Sequence, residues 1–125
     1  MQGTPLDSAS TRRERAVRSM NTWRTVRPVR QLLLVYQEHG GSWDWSKSLR
    51  EQASFDEHAR FVDGLVEEGF IVLGGPLDER DALLVVQNES EASIRARFAT
   101  DPWIETGMLT ITAIRPWTIL LEGRL

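Results

Sequence analysis

Short apolar runs recur along the chain from residue 31 onward, and each is bounded by glycine, proline or a polar turn. Runs of this length predict β-strands, because a strand that is buried on both faces is apolar at consecutive positions. The predicted strands are Gln31–Tyr36, Phe70–Leu73, Ala82–Val86 and Met108–Ile114. Beyond them, Pro116 and the apolar run Trp117–Leu121 predict an extended tail of the sheet or an edge strand.

A helical pattern lies between the first two predicted strands. Its apolar face consists of residues spaced three and four apart, which are Phe55, His58, Val62 and Leu65. Serines that fit a capping box stand at two possible starts of this helix, Ser48 and Ser54. Gly69 suits the left-handed residue that closes a helix, so we expect the helix to end there.

A second helix is predicted to follow Ser90, which can cap it. Its apolar surface is supplied by Ala92, Ile94, Ala96 and Phe98. We expect this helix to end at Asp101-Pro102, because proline cannot continue a helix. Asp101 is unusual in that place, since the C-terminal end of a helix carries partial negative charge.

The predicted elements follow the order strand, helix, strand, strand, helix, strand. This order is typical of the ferredoxin-like βαββαβ arrangement, an α+β fold with an antiparallel sheet and both helices on one face. Consecutive apolar residues in the strands indicate that the sheet is covered on both faces. We therefore expect the second face to meet the sheet of another copy in a homodimer. The alternative is that the N-terminal arm of the same chain covers it.

Charge is distributed unevenly along the 125 residues. Residues 1–30 carry seven arginines against Asp7 and Glu14, whereas the remainder carries eight basic and sixteen acidic residues. A basic arm is typical of nucleic-acid binding, but the acidic body repels phosphate. The arm also has the Arg-rich, acid-poor composition of an organelle transit peptide. We expect instead a flexible N-terminal extension over residues 1–29, one domain over residues 30–125, and no nucleic-acid partner.

Composition excludes several classes of chemistry. Without cysteine, the chain has no disulfide, thiolate nucleophile, iron–sulfur cluster or zinc finger. Two histidines supply little for a nitrogen-rich metal site, and Gly74-Gly75-Pro76 lacks the spacing of a phosphate-binding loop. No apolar run approaches the ~20 residues of a membrane helix, and no secretory signal is evident. We expect a cytoplasmic protein with no metal, no other cofactor and no membrane contact.

His58 and Asp101 are the candidate catalytic residues. His58 is either a core histidine bonded to a backbone carbonyl or a general base at the wall of a pocket. If the first helix begins after Ser54, the helix dipole at its first turn favours the neutral, proton-accepting imidazole. Asp101 is either the carboxylate that orients this imidazole or a cap for backbone N–H groups near Trp103 and Ile104. The residue pattern leaves both pairs of alternatives open.

Tryptophans are concentrated in the predicted loops, where they are Trp43, Trp45 and Trp103. Loop tryptophans either pack as lids over a small core or line a cleft for a flat, partly apolar ligand. His39 precedes two glycines, and we interpret it as part of a turn.

Three stretches occur in a fixed order along the chain. They are Phe55-Asp56-Glu57-His58-Ala59-Arg60-Phe61, Gly69-Phe70-Ile71-Val72-Leu73-Gly74-Gly75-Pro76-Leu77 and Asp101-Pro102-Trp103. Together they resemble the YciI-like (YCII-related domain) family over residues 30–122. The resemblance implies ferredoxin-like protomers that pair as dimeric α/β barrels, with a histidine–aspartate pair in a cleft at His58 and Asp101. It also implies reactions on small cyclic compounds, since a relative is a dehydrochlorinase of a chlorinated hydroxyquinol and the superfamily includes isomerases and oxygenases.

The leading hypothesis is a small-molecule enzyme of lyase or isomerase type. In it, Asp101 orients His58, and His58 moves a proton on a small cyclic, phenolic or enolisable substrate. The residues expected to shape the pocket are Trp43, Trp45, Gly75, Pro76 and Trp103. The alternatives are a non-catalytic module that binds or senses a small metabolite, and an oligomeric scaffold in which the two candidate residues only tie two elements together.

Overall fold

Residues 30–123 are described by a computed structural model. The predictions made for the basic segment, residues 1–29, lie outside these residues. The strands are β1 (Arg30–His39), β2 (Ile71–Pro76), β3 (Asp81–Gln87) and β4 (Leu109–Ile119). The helices are α1 (Phe55–Glu67), α2 (Glu91–Phe98) and the short α3 (Pro102–Glu105), and a 3-10 turn at Leu49–Glu51 precedes α1.

The strands form one open sheet in the order β2-β3-β1-β4. β3 lies between β1 and β2 and is antiparallel to both, so β1 and β2 run in the same direction. α1 therefore returns from the end of β1 to the start of β2 and runs against both strands. The predicted α+β fold, with a ferredoxin-like antiparallel sheet, is confirmed. The pairing of two such sheets in a dimeric barrel stays a prediction.

The chain divides into two compact units. Residues 31–117 form the unit that contains α1, α2, α3 and the core. In the other unit, the described residues are 30 and 118–123, where Arg30 Nη2 donates a hydrogen bond to Glu122 Oε2 at 3.2 Å. The predicted boundary between an extension and a domain at residue 29 stays a prediction.

The main core lies between the sheet and helices α1 and α2. Its buried members are Leu33, Val35, Leu65, Phe70, Ile71, Val86, Ile94 and Phe98. Side chains alternate along a strand, so the helix-facing row of β1 that contains Leu33 and Val35 continues through Gln37 and His39. Leu32, on the opposite face of β1, is also buried, as expected from strands that are apolar at consecutive positions.

α1 begins after Ser54, the second of the two predicted starts. Ser54 has a left-handed backbone with φ of 59° and makes no side-chain capping bond. Ser48 precedes the 3-10 turn instead, and its N–H donates to Glu51 Oε1 at 2.9 Å. The His58 N–H donates to Ser54 O at 3.0 Å, so His58 lies in the first turn of α1. Gly69, with φ of 82°, follows the helix in the predicted left-handed conformation.

The prediction that the second strand ends at Leu73, before Gly74-Gly75-Pro76, was wrong. These residues belong to β2 and pair with β3. β2 is an edge strand, where the missing N–H of a proline costs no ladder hydrogen bond. The turn follows them, and in it Asp78 Oδ1 accepts from the N–H of Arg80 at 2.8 Å and of Asp81 at 2.7 Å.

β1 and β4 are longer than their apolar runs. β1 continues past Tyr36 to His39, and β4 continues through Pro116 to Ile119, so the predicted tail Trp117–Leu121 belongs to the last strand as far as Ile119. Backbone pairing defines where a strand ends, and paired residues at the end of a sheet need not be apolar. This extension of β1 brings two further polar side chains to the face that carries α1.

Candidate functional site

Asp101 stands between two helices and caps the second. α2 ends at Phe98, and the Asp101 N–H donates to Phe98 O at 3.0 Å. Asp101 Oδ1 accepts from the Trp103 N–H at 2.9 Å, and Pro102 occupies the first position of α3. Proline suits that position because the N–H it lacks has no helical partner there. The interpretation of Asp101-Pro102 as a helix terminator was wrong, since Asp101 lies at a helix N-terminus, where negative charge is favourable.

The fold brings His58 and Asp101 into direct contact. His58 Nδ1 lies 2.9 Å from Asp101 Oδ1 and 3.0 Å from Oδ2. Asp101 is 1% exposed, whereas the His58 side chain is 16% exposed. A carboxylate only accepts hydrogen bonds, so His58 Nδ1 carries the hydrogen and donates it. Nε2 of the neutral ring then holds the lone pair and is the nitrogen that can accept a proton from a ligand.

Trp103 fixes the plane of the His58 ring. The indole and imidazole stack with centroids 3.9 Å apart and planes inclined by 7°. Trp103 is 1% exposed, and its Nε1–H donates to Ala53 O at 2.7 Å, just before α1. Asp101 therefore holds one edge of the imidazole while Trp103 holds its face. His58 cannot rotate without losing one of these contacts.

Trp43 and Trp45 lie progressively farther from His58. Trp43 is buried, meets Trp103 edge to face at 5.4 Å and stacks on His39 at 3.7 Å. We call His39, Trp43, Trp103 and His58 the ring chain. Trp45 contacts His39 at 5.4 Å and is 57% exposed. Trp103 thus contacts His58 directly, Trp43 is one ring away, and Trp45 lies beside the other end of the ring chain.

The unit that contains these residues, 31–117, falls entirely within a match to a known protein family. The family model of the YCII-related domain matches residues 31–118. The chain belongs to the YCII-related domain family. No curated protein and no solved structure matches it. The matched range includes the ring chain and Asp101.

Gly75 and Pro76 of this YCII-related domain point to opposite faces of the sheet. Pro76 pairs with Ala82, and Ala82 pairs with Gln37, so these three share one row on the helix side. Gly75 pairs with Leu83 and faces the other side. Of the two predicted pocket residues, Pro76 alone lies on the face that packs against α1.

Gln37 and His39 are polar residues near the site that the sequence analysis missed. The predicted strand ended at Tyr36, and the interpretation of His39 as part of a turn was wrong, because it is the last residue of β1. A signal was present, since every second residue after Leu33 and Val35 continues the same row. A strand keeps this alternation where it leaves the core, even though its inward side chains become polar there.

Burial lowers the pKa of His39 below its ordinary value. Its Nδ1 is enclosed and has no hydrogen-bond partner among the described residues. The positive charge of Arg80 lowers the pKa of His39 further, whereas the backbone of Glu79 and the carboxylate of Asp81 oppose the shift without outweighing it. The lowered pKa favours the neutral form of the ring, which stacks on Trp43.

The free energy of unfolding of the wild type is expected to fall relative to that of His39→Phe as the pH drops through about 6.5. The folded pKa of His39 lies below the unfolded value, so the unfolded state gains a proton first. This loss in the free energy of unfolding is absent above the pKa of His39 in the unfolded chain. It grows as the pH falls and is complete below the pKa of His39 in the folded protein. Phenylalanine keeps a ring on Trp43 but does not titrate. Urea unfolding at about pH 7.5, 6.5 and 5.5 measures the difference, and a pH-independent difference contradicts the prediction.

Other carboxylates near these loops have local structural roles. Hydrogen bonds from Ser46 lower the pKa of Asp44, and the backbone N–H groups of Asp81 and Arg80 lower that of Asp78. Across residues 30–123, no group of three or more histidine, aspartate and glutamate side chains is arranged to hold a metal ion. In the same part of the chain, no helix is long and apolar enough to span a membrane.

Proposed function

We propose that this YCII-related domain protein is an enzyme of lyase or isomerase type that moves a proton on a small cyclic, phenolic or enolisable substrate without a cofactor. The observation that supports the proposal is the contact of His58 Nδ1 with both oxygens of Asp101, at 2.9 and 3.0 Å. A carboxylate on one imidazole nitrogen leaves the other nitrogen as the base, which is the arrangement of an oriented catalytic histidine.

In the proposed reaction, His58 Nε2 removes a proton from a carbon or hydroxyl group of the substrate. The electron pair of the broken bond stays on the substrate as an enolate or a phenolate. Asp101 stabilises the imidazolium without moving, because its oxygens already contact Nδ1. Return of the proton to a different atom completes an isomerisation. Departure of an anionic leaving group completes an elimination, after which His58 releases its proton to water.

The pocket residues are assigned by their ring contacts and by the face of the sheet on which they lie. Trp103 supports the face of the His58 ring, and we propose that Trp43 and Pro76 border the bound substrate from the side of the sheet. Trp45 lies beside His39, and Gly75 faces the opposite side of the sheet, so neither is given a substrate contact.

We also propose that the protein is a cytoplasmic homodimer formed through the sheet face opposite the helices. Leu34, Tyr36 and Leu83 are partly exposed on that face, and Leu73 of the edge strand is 59% exposed. Burial of such apolar surface against a second sheet is favourable. Sedimentation velocity at micromolar concentration should give the mass of a dimer, and a monomer at that concentration overturns this part of the proposal.

The decisive experiment measures proton exchange and turnover in deuterated water for a panel of hydroxyquinols, including chlorinated ones, lactones and small acids. Proton NMR follows loss of the exchanging C–H signal and conversion of each compound. Because a placed base contributes at least about 10²-fold, His58→Gln should lower the rate by that factor while the melting temperature stays close to that of the wild type. His39→Gln is the matched control, since His39 lies at the other end of the ring chain.

Other outcomes of this experiment contradict the proposal in distinguishable ways. A compound that raises the melting temperature of the wild type without exchange or turnover indicates a binding or sensor module. Early melting of both His58→Gln and Asp101→Ala, with no compound bound, indicates that the pair only ties α1 to α3.

A further inference from the structure

Gln37 is a buried polar side chain outside the His58–Asp101 pair. It lies in β1 and is 5% exposed. Its carboxamide forms no hydrogen bond with residues 30–123, where His39 Nδ1 is the one fully enclosed side-chain polar atom without a partner. A buried carboxamide offers two N–H donors and an acceptor oxygen, and such groups are normally paired.

The packing of α1 against the sheet places Gln37 at the level of His58. Val62 packs against the core cluster that contains Val35. His58 precedes Val62 by one helical turn, about 6 Å along the helix axis. Gln37 follows Val35 by two residues, about 7 Å along the strand. Because α1 runs against β1, both steps lead toward the same end of the sheet.

Contacts among aromatic rings independently place the end of β1 close to the first turn of α1. The ring chain joins His39, the last residue of β1, to His58 in the first turn of α1, with successive centroid distances of 3.7, 5.4 and 3.9 Å. Gln37 precedes His39 by two residues in the same helix-facing row. Gln37 therefore lies between the apolar core and the ring chain.

The neighbours of Gln37 across the sheet are small and apolar. Ala82 pairs with Gln37, and Pro76 pairs with Ala82, so both lie in its row on the helix side. Neither side chain has a hydrogen-bonding group, and neither is long enough to cover a carboxamide. Its neighbours in this row therefore leave the amide of Gln37 unpaired, and a small ligand beside His58 is one group that can satisfy it.

We propose that Gln37 is a substrate-binding residue of this site and that its N–H donates to the substrate oxygen on which negative charge develops. The inference rests on the proposed function. When His58 Nε2 takes the proton, the electron pair of the broken C–H or O–H bond moves onto that oxygen, and the N–H of Gln37 bonds to the resulting enolate or phenolate. The substrate class narrows to phenols and enolisable cyclic ketones, in which an oxygen carries or is conjugated to the acidic hydrogen.

The test uses 4-nitrophenol as the probe, because its phenolate absorbs visible light and its neutral form does not. Wild-type protein should raise the visible absorbance of the probe by binding the phenolate. Gln37→Met keeps the length of the side chain but removes both donors, so we expect phenolate binding to weaken about 10-fold or more. Gln37→Glu, which presents only acceptor oxygens, should bind less than Gln37→Met. Gln31→Met is the matched control, an exposed glutamine of the same strand.

Each result separates the role of Gln37 from that of His58. Equal binding by wild type and Gln37→Met, with binding reduced in His58→Gln, overturns the role of Gln37 and leaves the proposed function standing. Equal binding by all three proteins overturns both. Absence of binding to the wild type overturns the phenolic substrate class and with it this role. Melting temperatures are recorded for every variant, because a merely structural glutamine would lose binding only in parallel with stability, whereas weaker binding by Gln37→Met at an unchanged melting temperature supports the proposed contact.

Discussion

Replacing Trp103 by alanine is expected to lower the free energy of unfolding by about 3–5 kcal/mol. The side chain is 1% exposed and belongs to the cluster it forms with Trp43, Met108 and Leu109. Truncation leaves a cavity between the loop that follows β1 and the start of α1, and it leaves Ala53 O without the indole N–H that donates to it at 2.7 Å. The cavity and the lost hydrogen bond both lower the free energy of unfolding.

Urea unfolding followed by circular dichroism measures this loss without depending on tryptophan fluorescence. Trp45→Ala is the matched control, because Trp45 is 57% exposed and its removal should change the free energy of unfolding by less than about 1 kcal/mol. Trp103→Phe keeps a ring against His58 but loses the bond to Ala53 O, so its stability should lie between those of the wild type and Trp103→Ala. A loss below about 1 kcal/mol for Trp103→Ala contradicts the assignment of Trp103 to the core.

The elements of this fold could be predicted where one physical signal dominated. Apolar runs located the centre of every strand, and the spacing from Phe55 to Leu65 located α1, since burial depends directly on those side chains. The ends were harder to predict. The polar end of β1 at His39 and the Gly74–Pro76 end of β2 are held by pairing with β3, and a partner strand is not visible in the local sequence.

The site could be predicted in part. The capping role of Asp101 follows from nearby residues, whereas its contact with His58 depends on how distant parts of the chain fold together. Asp101 fits an N-cap by local chemistry and a histidine partner by family resemblance, and the structure contains both bonds. Residue types alone could not choose between these bonds, since nothing local indicates that His58 lies near. Trp103 was predicted near Asp101 because it follows it by two residues, and Trp43 and Trp45 were grouped with it because all three lie in predicted loops, although the structure places Trp103 in α3.

The two bonds made by Asp101 act together. Oδ1 receives the Trp103 N–H at 2.9 Å, and this fixes the orientation of the carboxylate toward His58 Nδ1. Trp103 in turn stacks on His58, so the residue that orients the carboxylate also supports the imidazole. The N-cap and the second residue of the short helix α3 therefore orient His58 together. The same two residues stabilise the fold and position the candidate base.

Asp101→Asn is expected to lower the proposed proton-transfer rate by about 10³–10⁴-fold while the protein stays folded. The asparagine Oδ1 keeps the bond from the Trp103 N–H, so the amide NH₂ takes the position of Oδ2, which lies 3.0 Å from His58 Nδ1. An NH₂ group donates, and Oδ1 is already engaged by the Trp103 N–H, so we expect Nδ1 to accept from the NH₂ and the ring hydrogen to move to Nε2. The nitrogen that faces a substrate then carries a hydrogen and cannot act as the base.

Long-range ¹H–¹⁵N NMR of the histidine ring checks this prediction without a substrate. We expect a hydrogen on Nδ1 of neutral His58 in the wild type and on Nε2 in Asp101→Asn, and the exchange assay should lose activity in parallel. The cap survives in asparagine, so the free energy of unfolding should change by less than about 1 kcal/mol. Asp101→Ala is the comparison, because it leaves the N–H groups of Trp103 and His58 without an acceptor and should cost about 1–3 kcal/mol. The same tautomer in the wild type, Asp101→Asn and Asp101→Ala would refute the orienting role of Asp101, whatever the effect on stability.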